Sequence, residues 1–498
     1  MTIARRSFLK AGGAAAMAGA FGLSPMARAR DAAGATDQSL RLLGRDLGGR
    51  LLLPDDHAYA FASMPNNARW SGVRPKAIAC CADDQDVALC INWARDNGQP
   101  FAVRSGGHSY AGFSTTEGLL IDLKGLNKAT IDLGNGTATL QGGVNNDGSA
   151  GALRGLPFAI PSGRCPTVGV GGLVLGGGWG FSATRSGLTC DSLVSTEVVL
   201  ADGRKITASE TEAPDLFWAA CGGGGGNFGV HTSFTFRLRP VTDVVTFNIT
   251  WPAGRALELM SLMQTIQLAN ATTMSTRTKA VPVTGAAFPS INSLAVTTLG
   301  LFWGTESQLR EIFQPAFALL EPRVREINTM KYWSARDYLV TDDPTGFYDI
   351  RANYVGERLS DAGLEAMLQW MSKWPGGSLH QDNMGILFAI GGAVRAKRPD
   401  ETAYPHRDSN FLFEMEASWG PRDTPEMVER QRAWLTDYVA DMQRFVLPRA
   451  YVNFPSRELS NWQQAYYGDN LARLSTIKRK YDSENLFRFP QSIPLSAA

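Results

Sequence analysis

Two glycine-rich turns, each enclosing a side chain that can be alkylated, constrain this chain more than any other feature. One reads Phe101-Ala-Val-Arg104-Ser105-Gly106-Gly107-His108-Ser109-Tyr110 and the other Pro161-Ser-Gly-Arg-Cys165-Pro-Thr-Val168-Gly169-Val-Gly171-Gly172. Glycine lets a backbone approach another group closely and turn its amide N–H groups inward as an anion nest, which suits a large cofactor with a pyrophosphate. Singly, His108 reads as a hydrogen-bonded loop histidine and Cys165 as a small buried hydrophobe. Both side chains can be alkylated, so either could be joined to such a cofactor.

A third glycine run, Gly222 to Gly226, leads into Gly224-Gly-Gly226-Asn227-Phe-Gly229 and so satisfies the dinucleotide pattern G-x-G-x-x-G. That pattern works only between a strand and a helix. Here Val230-His-Thr-Ser-Phe-Thr-Phe-Arg-Leu-Arg239 follows, alternating apolar and polar residues as a strand does. The run is therefore expected to be a turn under a cofactor, with Asn227, Gly229 and Val230 beside it, and not a nicotinamide site.

Residues 73 to 103 read as strand, helix, strand, with Val87 to Arg95 helical and Asn97-Gly98 as the stop. Strands continue at Gly118 to Leu123 and Thr137 to Gln141, and Asp202-Gly203 turns a hairpin. Past Pro240 glycine thins out, and helical stretches such as Ala256 to Leu268 alternate with strands such as Ser293 to Phe302. The expected organisation is a cofactor domain over 30–240, a substrate domain over 241–440 and a C-terminal segment, 441–498, that returns to the cofactor domain. Two or more packed units suit a chain of this length.

The N-terminus, Ala4-Arg5-Arg6-Ser-Phe-Leu-Lys10, then an apolar run to Leu23 and Ala27-Arg-Ala29, has the form of a twin-arginine export signal over residues 1–29. Its apolar run of about 13 residues falls short of the ~20 that span a membrane. Export by this route carries folded proteins, which agrees with a cofactor loaded in the cytoplasm. The 48 basic and 47 acidic side chains leave a net charge of +1 with no block of like charge, which argues against nucleic acid or an anionic membrane surface as partner. If Cys165 is tied to a cofactor, Cys80, Cys81, Cys90, Cys190 and Cys221 remain, an odd number, so at least one would then stay free, and no Cys or His spacing suggests a metal site.

The two turns, with Asp215-Leu-Phe-Trp-Ala-Ala-Cys-Gly-Gly-Gly-Gly-Gly-Asn-Phe-Gly-Val230 and the tail from Tyr451 through Tyr466-Tyr-Gly468 to Gln491-Ser-Ile-Pro494, closely resemble the ordered motifs of the berberine bridge enzyme-like oxidases. These are a branch of the vanillyl-alcohol oxidase superfamily. The resemblance implies an α+β fold: a two-subdomain FAD-binding domain of the p-cresol methylhydroxylase type plus an antiparallel-sheet substrate domain flanked by helices. It implies FAD held covalently through His108 at the 8α-methyl carbon and Cys165 at C6. Around it would lie Arg104, Ser105, Gly106, Gly107, Ser109, Val168, Gly169, Gly171, Gly172, Gly176, Gly177, Asn227, Gly229, Val230 and Asn453. In the resembling family a valine at the place of Val168 goes with oxygen access. The protein would therefore be an oxidase reducing O2 to H2O2, a monomer or small homo-oligomer acting on a small molecule.

The chain departs from that family where catalysis is concerned. Phe454 in Tyr451-Val-Asn453-Phe454 replaces the tyrosine that many members use as base, and Trp179 replaces a tyrosine after Gly176 to Gly178. A substitute is legible in Phe411-Leu-Phe-Glu414-Met-Glu416-Ala-Ser-Trp419. Read as a strand, it turns Phe411, Phe413, Met415 and Ala417 to one face and Leu412, Glu414, Glu416 and Ser418 to the other. By resemblance Glu416 would be the base, with Glu414, Tyr451 and Trp179 at the reacting end. The substrate class expected first is a secondary alcohol of a sugar or of a sugar-bearing or aromatic metabolite. An amine held by the paired carboxylates comes second, and a flavin-binding protein without turnover third. Trp303, Tyr332, Trp333, Tyr348 and Tyr354 are candidates to stack on a substrate ring.

Overall fold

A computed structural model describes residues 37–283, 290–340 and 345–497; residues 1–29, read from the sequence as an export signal, lie outside the described residues. The first sheet comprises β1 (Arg50–Leu52), β2 (Ala77–Cys80), β3 (Phe101–Arg104) and β4 (Leu119–Asp122) in the order β1-β2-β4-β3. The expected strand–helix–strand is present, but β4 inserts between β2 and β3 and runs parallel to both. The intervening helix α1 (Asp84–Asp96) starts where the Asp83 carboxylate accepts the amides of Gln85 and Asp86, buries Val87, Cys90, Ile91 and Ala94 on one stripe, and stops at Asn97. Gly98 beyond it takes a positive φ of 58°.

The second sheet holds β5 (Ala129–Asp132), β6 (Thr137–Gln141), β8 (Leu193–Val199), β9 (Lys205–Ser209) and β10 (Val230–Arg237) in the order β5-β6-β10-β8-β9, all antiparallel. β7 (Phe158–Ala159) pairs with β11 (Arg239–Pro240) in a separate ribbon. Gly203 turns β8 into β9, as Asp202-Gly203 suggested. A strand, not a helix, follows the Gly222–Gly226 run.

The third sheet has seven antiparallel strands: β12 (Val244–Trp251), β13 (Met274–Pro282), β14 (Leu294–Phe302), β15 (Val324–Met330), β16 (Phe347–Val355), β17 (Ile386–Ala389) and β18 (Phe411–Trp419), ordered β15-β12-β14-β13-β17-β18-β16. One face is covered by α2 (Ala256–Ala269), α3 (Glu306–Leu319), α4 (Asp361–Ser372) and α5 (Pro425–Met442), with Phe247, Met260, Phe313, Met367, Phe413 and Trp434 in the core between. Alternation sends the next residues the other way. Tyr354, Phe388 and Leu412 pack with Val174, Trp179, Tyr404 and Tyr451 of the rest of the chain. The polar face read from the sequence of β18 thus looks toward the glycine-rich loops.

The C-terminal segment closes the molecule. On α6 (Leu471–Tyr481) the fully buried Lys478 ammonium donates to the carbonyls of Asn227 (2.7 Å) and Phe487 (2.5 Å) and to Asp482 (2.7 Å). All six cysteines are unbridged. Among the described residues no helix is long and apolar enough to cross a membrane.

Candidate active site

His108 and Cys165 come together because two glycines let their loops touch. A Cβ on Gly106 would stand 2.2 Å from the amide nitrogen of Gly169 and 2.6 Å from the carbonyl of Thr167, and one on Gly169 would stand 2.3 Å from the amide nitrogen of Gly106. No side chain fits in that seam. Gly107 adds a positive φ of 80°, and the His108 ring nitrogen Nε2 lies 2.7 Å from the Thr167 hydroxyl of the opposite loop. The sequence assigned these glycines to close approach by a pyrophosphate. At Gly106 and Gly169 the approach is instead between the two loops.

Both side chains line one cavity of about 420 Å³, within the range of cofactor sites. Of the expected cofactor residues, Ser105, Gly106, Gly107, Ser109, Val168, Gly169, Gly171, Gly172, Asn227, Gly229, Val230 and Asn453 line it as well. A Cβ on Gly172 would meet nothing within 4 Å, the mark of a backbone open to a ligand. The Asn227 amide donates to the carbonyls of Gly223 and Gly224 (3.2 Å each) and accepts from the amide of Ile493 (2.9 Å), holding the glycine turn in shape. Three expectations are corrected. Arg104 does not reach the cavity, because its buried guanidinium is spent on the carbonyls of Ala62, Ser63 and Ser114. Gly176 and Gly177 lie behind the wall, where a Cβ would collide with Asn453 at 2.1 Å and crowd Leu188 and Tyr404 at 3.2 Å.

The sequence reading missed much of the wall: Tyr110, Phe113, Asn146, Arg164, His231 and the stretch Phe487 to Gln491. His231 is fully buried, with Nδ1 3.0 Å from the Thr196 hydroxyl, and burial pulls its pKa down to about 3, so it is neutral. Its place on alternating β10 was legible; which face would meet a cofactor was not.

A second, polar cavity of about 280 Å³ shares Tyr110 and Arg164 with the first. Its other walls are Arg277, Lys279, Tyr348, Ile350, Asp382, Asn383, Glu414 and Glu416. Glu414 is 2% exposed, and Glu416 accepts from the Ser418 hydroxyl. The two carboxylates anticipated on β18 therefore do face a chamber next to the loops of His108 and Cys165. Tyr110 packs edge-on to Tyr348 and against Phe454, which lines the larger cavity.

The other expected catalytic residues serve the frame. Tyr451 lines the larger cavity, but its hydroxyl accepts from the Gly178 amide (2.9 Å) and the Asn453 amide (3.2 Å), and burial pushes its pKa up to about 12. A phenol so placed is no base at neutral pH. The Trp179 indole N–H donates to the Ala389 carbonyl (2.7 Å), and its ring stands edge-on to Phe388. Of the candidate stacking aromatics only Tyr348 lines the polar cavity. Trp303, Tyr332 and Trp333 pack against the core, and the Tyr354 hydroxyl is bonded to that of Tyr404 at 2.7 Å.

Residues 75–209 match the FAD binding domain family, and residues 450–494 match the berberine and berberine like family. The fold and the cavity therefore define an FAD-linked oxidoreductase. An FAD-linked oxidoreductase of Bacillus subtilis (strain 168) is 33% identical over 465 residues, covering 90% of this chain and 99% of that one. Glucooligosaccharide oxidase of Sarocladium strictum is 31% identical over 449 residues, covering 83% and 86%. The structure of wild-type BBE-like 1 from Physcomitrella patens superposes with a TM-score of 0.81 at 26% identity, over 93% of this chain and 100% of that one. The chain belongs to the berberine bridge enzyme-like family.

Proposed function

We propose that the protein is an oxidase acting on a secondary alcohol of a sugar or of a sugar-bearing or aromatic metabolite, with FAD bound covalently through both His108 and Cys165, and that it is exported by the twin-arginine route. The carrying observation is the shared wall: the cavity lined by His108 and Cys165 adjoins a chamber that holds Glu414 and Glu416. FAD, held by the loops of His108 and Cys165, would supply a hydride acceptor for the substrate carbon and a two-electron donor for O2, which with two protons would give H2O2. Glu416 takes the hydroxyl proton as the carbon becomes a carbonyl, so the carboxylate ends the half-reaction protonated. The hydroxyl of Ser418 fixes the Glu416 carboxylate, and Tyr348 and Tyr110 offer ring faces to the substrate.

That glucooligosaccharide oxidase is a relative supports an alcohol as the reacting group. An ammonium substrate is disfavoured, because Arg164, Arg277 and Lys279 line the same chamber as the carboxylates. The test is peroxide-coupled screening of the purified protein against sugars, aromatic alcohols and amines, joined to acid precipitation of His108→Ala, Cys165→Ala and the double variant. Each single variant is expected to retain bound colour and the double variant to lose it. Colourless Cys165→Ala protein would refute the two-bond attachment, and silence across the alcohols would refute the alcohol assignment.

A further inference from the structure

The sheet face that carries Glu414 and Glu416 also carries two cations that make no salt bridge among the described residues. Arg277 and Lys279 are two residues apart on β13, so both point into the polar cavity. The register sets Arg277 opposite Phe388 and Lys279 opposite Ile386, and Ile386 in turn lies opposite Glu414. Both cations donate to one oxygen, Asn383 Oδ1, at 3.0 Å from Arg277 Nη2 and 3.3 Å from Lys279 Nζ. Arg277 is 8% exposed, and its Nε has no hydrogen-bond partner among the described residues.

Burying a cation without an anion beside it is costly. The strain is visible in both groups: burial holds Arg277 down to about 10 and Lys279 to about 8, each further depressed by a neighbouring guanidinium. The carboxylates of the chamber act on them only from a distance, Glu414 and Glu416 on Arg277, and Asp382 and Glu416 on Lys279. Cys165 is close enough to act on Arg277 as well, which sets the pair toward the attachment loops. One neutral amide oxygen shared by two cations leaves donors over for an incoming anion.

We propose that the substrate carries a carboxylate, bound by Arg277 and Lys279, with its reacting carbinol toward Glu414 and Glu416: an acidic sugar or another hydroxy acid. A guanidinium fork beside an ammonium matches a planar, singly charged carboxylate. Asp382, Glu414 and Glu416 on the same walls oppose a doubly charged phosphate. The assignment rests on the reading of this chamber as the substrate site.

The test is anaerobic calorimetry on the holoprotein with D-glucuronate, its neutral methyl ester, D-glucose and inorganic phosphate, none of which requires turnover. The acid is expected to bind about ten- to a hundredfold more tightly than the ester or glucose, as charged hydrogen bonds do. It should also outbind phosphate. The preference is expected to vanish in Arg277→Gln, to shrink in Lys279→Gln, and to weaken in the parent as pH rises through about 8, where Lys279 loses its charge. In Lys279→Gln that pH dependence should be absent. Equal binding of acid and ester, tighter binding of phosphate, or an intact preference in both variants would overturn the proposal. Acid-selective binding without peroxide from any alcohol would refute the oxidase reading alone, and peroxide from neutral sugars without acid preference would refute this one alone.

Discussion

Two substitutions on β18 separate proton transfer from binding. Glu416→Gln keeps the side chain's size but cannot take a proton, so the rate of flavin reduction is expected to fall by about 10²- to 10⁴-fold with a smaller change in substrate affinity. Glu414→Gln, two residues away on the same face, should move binding or the pH profile more than the chemical step. Anaerobic stopped-flow measurement of flavin reduction across pH 6 to 9 checks both, and an unchanged rate in Glu416→Gln would place the base elsewhere. Val168 also lines the larger cavity, three residues after Cys165. Val168→Leu is expected to slow reoxidation by O2 while leaving anaerobic reduction nearly intact; equal reoxidation rates would make Val168 a packing residue only.

At the scale of elements, what the sequence disclosed and what it hid divide at the range of the interaction. The alternation of β18 is local, and it placed Glu414 and Glu416 on one face and Phe411, Phe413, Met415 and Ala417 in the helix-covered core. The strand after Gly226, the stop at Asn97-Gly98 and the turn at Gly203 are equally local. Arg277 and Lys279 repeat the two-residue spacing of the glutamates, yet nothing near them in sequence says that β17 will seat them beside β18, more than a hundred positions away. The seam between Gly106 and Gly169 is hidden for the same reason: close approach is written in the glycine, the approaching partner is not. Arg104 shows the converse, since a motif residue can serve the loop and not the ligand. The buried, unpaired guanidinium also makes a prediction for β13. Arg277→Met should raise the stability of the ligand-free protein by on the order of 1 kcal/mol or more, seen as a higher unfolding midpoint, since an apolar side chain removes a desolvated charge. A lower midpoint in thermal or urea unfolding would mean that Arg277 is held by more than it costs.

For the whole molecule, acid is expected to act through two buried histidines. His231 and His406 are both held down to about 3 by burial, against 6.5 for a free imidazole. Between those values the unfolded chain binds protons that the native state does not, so stability is complete above about 6.5 and declines as pH falls toward 3. Urea midpoints at pH 7 and pH 5 should differ less in His406→Gln than in the parent; an identical difference would assign the acid sensitivity to other groups.

Residues 451 to 455, 466, 467 and 487 to 491 wall the cavity whose His108 and Cys165 lie more than 280 positions earlier. Translation delivers the anchors first and the closing wall last. A ribosome that has finished both glycine-rich loops has therefore not yet made a vessel. The cavity closes only when Lys478 holds the tail on the Asn227 turn, so a nascent or clipped chain lacking that tail is expected to carry both His108 and Cys165 and retain no flavin colour.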